Sequence, residues 1–309
     1  MSAAASTRYT CYGLVLASEI ELPDLGEPLG AGAGSTEPDV VVRLGRLPGP
    51  PPGTDPLPYG LWREGTSVGV EVPDVGRYEA RDGREVVIDP VEGADPKAVR
   101  LFLLGSLLGA VMMQRDHLVL HGNAFRVGPE DDPACAVVVG HSGSGKSTLA
   151  AELDRRGYDV LSDDVVPVDP SGLAIPGHPR IKLWGDALER MGVGTDDLER
   201  IHAQHEKFQL PLRRTEVAPL PLRWVYVLER HGGDELSLEP VHGATTFSLL
   251  HEHTYRNELV HGPGPVAQHL EQCARLVSVA RITRVRRPAE TMTVEATADA
   301  ILADIDTRP

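Results

Sequence analysis

The chain has 309 residues, room for one large domain or two ordinary ones with ample core. Its 41% hydrophobic and 24% charged content are globular values. A formal net charge of −15 argues against nucleic acid or an anionic membrane as the main partner, because binding phosphates there needs a basic face.

No apolar run reaches the length of a membrane span, and the longest, Leu101 to Met113, reads as a buried helix. The N-terminus lacks the charged and then apolar segments of a secretory signal. Cys11, Cys135 and Cys273 are scattered without metal spacing and read as reduced thiols, Cys135 as a core residue. The expected location is the cytoplasm.

Residues 1–94 read as a β-rich accessory region. Tyr9 to Leu16, Asp39 to Leu44, Ser67 to Val72, Arg77 to Arg81 and Glu85 to Asp89 are strand-like runs. Turn signals such as Asp82-Gly83 separate the later ones. Asp95-Pro96 predicts a helix start, and the helix runs to about Gln114. Leu118 to Val127 reads as a strand, Ala134 to Val139 as a buried strand, and Leu149 to Arg156 as a helix closed by Gly157. Tyr158 to Pro167 is the next strand. Leu183 to Met191 and Asp196 to Glu206 read as helices and Leu222 to Leu228 as a buried strand. Helices are expected around Thr245 to Leu259 and Pro265 to Val279. A strand at Arg281 to Val285 and an amphipathic helix at Thr293 to Ile305 close the chain. The second region is 95–309.

Between the Ala134–Val139 strand and the helix after it lies Gly140-His-Ser-Gly-Ser-Gly-Lys-Ser-Thr148, which fits G-x-x-x-x-G-K-[ST]. Glycines at Gly140, Gly143 and Gly145 let the backbone wrap a polyphosphate with its N–H groups inward. Ser142, Ser144 and Thr148 belong to the same phosphate-binding stretch, and the helix offers its positive end to the anion. Lys146 is expected to reach the β- and γ-phosphates and Ser147 to ligate Mg²⁺. Strand, loop and helix in that order make this a nucleotide site. With no Asn-Lys-x-Asp sequence present, ATP is favoured over GTP.

Asp163-Asp164 ends the strand that follows the P-loop helix. Ligand groups collect at the carboxyl ends of strands in open α/β sheets, so both carboxylates are expected to face the phosphate loop. One acid can serve Mg²⁺ and the other can take a proton from an attacking hydroxyl. His251-x-His253, with His261 beyond, hints at a metal site, but it lies in an amphipathic helix without cysteine or an ordered acidic partner. The arginines from Arg281 to Arg287 read as a solvated strand end. Lysine is scarce (Lys97, Lys146, Lys182, Lys207), so a retained lysine draws interest.

Leu120-His121-Gly122, the P-loop and the Asp163-Asp164 strand end, in this order and spacing, resemble the HPr kinase/phosphorylase catalytic domain across roughly residues 115–170. Tyr12-Gly-Leu, Glu19 to Pro23, Pro179 to Trp184 and Glu206 to Pro211 look like the HPr kinase-related proteins of bacterial biosynthetic clusters. These include kinases that phosphorylate the C-terminal serine of lasso-peptide precursors.

The resemblance implies an α/β fold with a P-loop kinase domain of the HPr kinase C-terminal type. It implies ATP and Mg²⁺ as cofactors, Asp163 as general base, Asp164 with Ser147 at the metal, and His121 near the phosphates. Sequence alone leaves the order of Asp163 and Asp164 open. The Gly-rich signature of authentic HPr kinases is missing; Gly177-His-Pro-Arg-Ile-Lys182 occupies that region. HPr itself and phosphorolysis are therefore not implied, and Arg180, Lys182 and Lys207 are substrate-contact candidates.

The expected activity is phosphorylation of a serine hydroxyl on a peptide or protein partner. An ATP-binding switch or scaffold, or a kinase of a small metabolite, is the alternative, and homo-oligomerisation is left open.

Overall fold

The structure, a computed structural model, describes residues 6–30, 37–51, 53, 57–177, 180–184, 199–202, 205–211, 218–289 and 293–307. It is a mixed α/β chain of two compact units, one formed by 1–117 with 258–266 and the other by 118–257 with 267–309.

The first unit holds a seven-stranded sheet. Its strands are β1 (Thr7–Cys11), β2 (Leu14–Ser18), β3 (Val40–Leu44), β4 (Leu61–Glu64), β5 (Ser67–Val72), β6 (Gly76–Arg81) and β7 (Glu85–Pro90), in the order β1-β2-β3-β7-β6-β5-β4. Helix α1 (Pro96–Gln114) packs on it. Asp95 caps its start by accepting from Lys97 N at 2.9 Å, as the Asp-Pro pair leads one to expect.

Tyr78 Oη donates to Val99 O at 3.2 Å, and the Gln114 amide bonds Gly83 N at 2.8 Å and Ala80 O at 2.9 Å. These contacts place α1 in the first unit, so the division falls after residue 117 rather than after 94. The helix is also longer than the apolar run read from sequence. At 19 residues it is long and apolar enough to cross a membrane by length and composition, and 67% of its apolar window is buried in the protein.

The second unit is built on β8 (Leu118–Leu120), β9 (Gly122–Val127), β10 (Ala134–Val139), β11 (Val160–Asp163), β12 (Val166–Val168) and β13 (Leu173–Ala174). Beyond these come β14 (Arg180–Trp184), β15 (Glu199–His202), β16 (His205–Pro211), β17 (Leu220–His231), β18 (Ser237–Pro240) and β19 (Arg281–Pro288). Its helices are α2 (Lys146–Arg155), α3 (Ala244–Glu252), α4 (Pro263–Val279) and α5 (Val294–Thr307).

The main sheet runs β11-β9-β10-β17-β19-β18, and β8, β12 and β13 join it through the start of β17. β10 is parallel to β17 and antiparallel to β9, and β11 is antiparallel to β9. β10 and β11 therefore point the same way and end at the same edge.

All six residues of β10 are buried, the pattern of a strand covered on both faces. Ala134, Ala136 and Val138 pack with Leu149 and Leu153 of α2 and Ala298, Ile301 and Ile305 of α5. Cys135, Val137 and Val139 pack on the opposite face with Leu249, Leu250, Cys273 and Leu276. A sheet between two helical layers results. Arg156 ties α2 to α5 through Asp299 at 2.6 Å. All three cysteines are buried and free.

Two expected helices are not formed as read. Glu199–His202, inside the expected Asp196 to Glu206 helix, and His205–Pro211, which begins at its end, are strands of a three-stranded sheet with β14. Cross-strand pairing overrides local helical patterning there. Leu183 and Trp184 are likewise in β14, and the rest of the expected Leu183 to Met191 helix lies outside the described residues.

Candidate active site

The site begins where β10 ends. Gly140 has φ +154, and a Cβ there would meet Leu228 O of β17 at 2.5 Å and Ser144 Oγ at 2.8 Å. Only glycine lets the loop leave the sheet this close to its neighbour. Gly145, at φ +104, caps α2, and a Cβ there would stand 2.9 Å from Arg287 Nη2.

Gly140, Ser142, Gly143, Ser144, Gly145, Lys146, Ser147 and Thr148 thus form one loop and the first turn of α2, whose leading N–H groups lack helical partners. Lys146 Nζ folds back onto Gly140 O at 2.7 Å and His141 O at 3.2 Å. Ser144 Oγ is buried with no hydrogen-bond partner among the described residues, an orphaned donor of the kind a phosphate oxygen satisfies. The donor set fits a polyphosphate.

Arg287, the penultimate residue of β19, donates from Nη2 and Nε to Ser144 O at 2.7 and 3.2 Å. Sequence reading placed it on a solvated strand end. Instead its guanidinium clasps a carbonyl of the phosphate loop. Arg287→Ala is expected to weaken nucleotide binding about tenfold, a loss of charge-assisted bonds worth on the order of 1.4 kcal/mol. Titration with a fluorescent ATP analogue checks it.

The acids arrive on β11. Asp163 pairs in register with Asn123 of β9, and Asn123 Nδ2 donates to Asp163 Oδ1. Ser147 Oγ donates to the same oxygen at 3.2 Å. The carboxylate that meets the Ser147 hydroxyl is thus that of Asp163.

Asp164 sits at φ +77, a left-handed conformation that aspartate tolerates better than most side chains. His121 Nδ1 lies 3.1 Å from Asp164 O and 3.2 Å from its Oδ1. A backbone carbonyl can only accept, so Nδ1 carries a proton.

His121 and Asp164 meet because two strands break at the same level. Leu120 faces Val166 on one side of the break and Asn123 faces Asp163 on the other, in one continuous register. The sequence reads each of these pairs of strands as one. Backbone bonds from His121 N to His253 O at 2.7 Å and from Tyr255 N to Val119 O at 2.8 Å pin the break from outside.

The segment after α3 therefore enters the site, where the sequence pointed only to His253, as half of a His-x-His pair. His253 is buried, and its ring stands 5.2 Å from that of His141, edge to face. Arg180 and Lys182 on β14 and Lys207 on β16 lie on neighbouring strands; their side chains are outside the described residues.

Burial pushes the His253 imidazole down to about 4, against the pull of Glu252 and with a smaller push from the charges of His141, Lys146 and His121. Burial likewise takes His269, bonded to Thr254 Oγ1 at 2.8 Å, down to about 4. Both start from 6.5. Between these values the unfolded chain binds more protons, so stability falls as pH drops from about 6.5 toward 4 and is unaffected above 7. Thermal midpoints measured across that window are expected to fall less steeply in His269→Gln than in the wild type.

No protein-family model matches the chain, and no curated protein matches it. Among solved structures it is similar to the Hpr(Ser) kinase/phosphatase from Coxiella burnetii, at 12% sequence identity and a TM-score of 0.26, covering 61% of this chain and 90% of that one. At so low a TM-score, no role of any residue here rests on that likeness.

Proposed function

We propose that the protein is an ATP- and Mg²⁺-dependent kinase that transfers the γ-phosphoryl group to a serine hydroxyl of a peptide or protein. One observation carries the reading. Lys146 and Ser147 of the phosphate loop share a sheet edge with two adjacent carboxylates that have separate partners, Asp163 on Ser147 and Asp164 on His121. A phosphate cradle needs one acid for the metal; the second, backed by a histidine, suits proton transfer.

The distances favour Ser147 and Asp163 as the metal-holding pair and Asp164 as the base, the reverse of the order drawn from the resemblance. Bound Mg²⁺ would supply charge neutralisation at the β- and γ-phosphates. The rest falls to the chain. Lys146 leaves the carbonyls of Gly140 and His141 for the phosphates, and the loop N–H groups and Ser144 Oγ fix the chain of phosphates in line. Asp164 accepts the proton as the acceptor oxygen bonds to phosphorus and the bond to ADP breaks. His121, donating through Nδ1, orients that carboxylate.

The resemblance to kinases of lasso-peptide precursors makes a C-terminal serine the acceptor to test first. Incubation of the full chain with ATP, Mg²⁺ and serine-ended peptides is expected to add the mass of one phosphoryl group to a peptide. ATP hydrolysis or binding with every peptide, protein and small-molecule hydroxyl unmodified would favour a nucleotide switch. Modification of a small metabolite alone would redirect the substrate class.

A further inference from the structure

The phosphate loop carries a second chemistry on its outer side. His141, its second residue, is exposed, and its Nε2 lies 2.8 Å from Oε1 of Glu252, the last residue of α3. His253 follows directly. The ligand-capable atoms of these three residues all lie within 4.8 Å of one another. We infer that His141, Glu252 and His253 form a binding site for a borderline divalent cation of the Zn²⁺ class, separate from the Ser147–Asp163 position.

Geometry comes first. A tetrahedral Zn²⁺ with bonds of about 2.0–2.2 Å holds its ligand atoms about 3.3 Å apart. The His141–Glu252 spacing of 2.8 Å is tighter than that and the outer limit of the trio, 4.8 Å, is wider, so the side chains rotate to close on the ion.

Rigidity comes second. His253 is fixed by its backbone on both sides, its N–H to Leu249 O at 3.0 Å and its carbonyl from His121 N at 2.7 Å. No hydrogen bond among the described residues engages its ring. His141 is held through its own carbonyl, which accepts from Ser144 N at 3.1 Å and from Lys146 Nζ.

Ligand chemistry comes third. Two imidazoles and one carboxylate suit Zn²⁺, Ni²⁺ or Cu²⁺, whereas Mg²⁺ and Ca²⁺ want an all-oxygen shell. Three protein ligands leave a fourth position open, the pattern of zinc sites that bind an exchangeable group. A cation entering the trio replaces the His141–Glu252 contact, taking the imidazole nitrogen and the carboxylate oxygen as ligands. The pair His251 and His253, suggested by sequence, is not the ligand set. The His251 ring stacks edge to face on His269 instead, with centroids 5.2 Å apart.

Co²⁺ serves as the probe, added to the full chain after chelator treatment. The expected result is saturable uptake of one equivalent, with visible ligand-field absorption, displacement by Zn²⁺ and no displacement by millimolar-range Mg²⁺. Glu252→Gln and His141→Asn, both at exposed positions, are each expected to weaken binding by more than about tenfold while their circular dichroism stays that of the wild type. His251→Asn is expected to bind as the wild type does. Absence of saturable uptake overturns the site, and so does equal affinity in Glu252→Gln and His141→Asn, which would place the metal on other histidines. None of these readouts depends on phosphoryl transfer, so the kinase reading and the metal site stand or fall separately.

Discussion

Lys146→Ala is expected to reduce phosphoryl transfer by roughly a thousandfold or more, because a preorganised charge on the transferring group is among the largest single contributions to such catalysis. The fold is expected to survive. Lys146 Nζ donates to carbonyls of its own loop, Gly140 O and His141 O, and α2 is held by Leu149 and Leu153 in the core and by Arg156 on Asp299. The thermal midpoint should shift by no more than about 2–4 °C, the size of a 1 kcal/mol effect in a unit of this length. Initial-rate measurement beside a melting curve checks both halves. A mutant that folds and transfers normally would remove the P-loop from the chemistry.

Separating the two acids has the next largest expected effect. Asp164→Asn is expected to lower transfer by about 10²–10⁴-fold while Mg²⁺·ATP still binds, as loss of a general base does. Asp163→Asn leaves Ser147 Oγ facing an amide instead of a carboxylate, so it should weaken the response to Mg²⁺ and shift its half-saturation upward. Rates measured against Mg²⁺ concentration for both variants decide the matter. If Asp164→Asn shifts the metal response and Asp163→Asn abolishes the chemistry with the metal response intact, the order implied by the sequence resemblance is restored.

Much of this arrangement was legible because its causes are local. The unbroken apolar run of Ala134 to Val139 could only be a strand covered on both faces, and the glycines and Lys146 after it have few other uses together. The alternating runs from Ser67 to Asp89 likewise appear as β5, β6 and β7.

What escaped was set by tertiary structure. The breaks at His121 and Asp164 interrupt apolar runs that read as single strands, and a left-handed aspartate leaves no local signature. Which carboxylate meets Ser147 follows from register with Asn123 across β9, a fact no spacing encodes. Arg287 was hidden among neighbouring arginines, and only the parallel pairing of β19 with β17 carries it to the phosphate loop. His141 and the Glu252-His253 pair lie more than a hundred positions apart in sequence. The strands β15 and β16 obey pairing partners rather than their own helical pattern.

Transfer from γ-labelled ATP, measured alongside ATP-binding stoichiometry in the same preparation, tests the central claim most directly. With Mg²⁺ and a panel of serine-bearing peptides and proteins, the wild type is expected to bind one ATP and place label on a serine, and Asp164→Asn to bind one ATP and place none. Stoichiometric ATP binding by the wild type with no label on any hydroxyl acceptor would contradict a kinase and leave a nucleotide-binding switch.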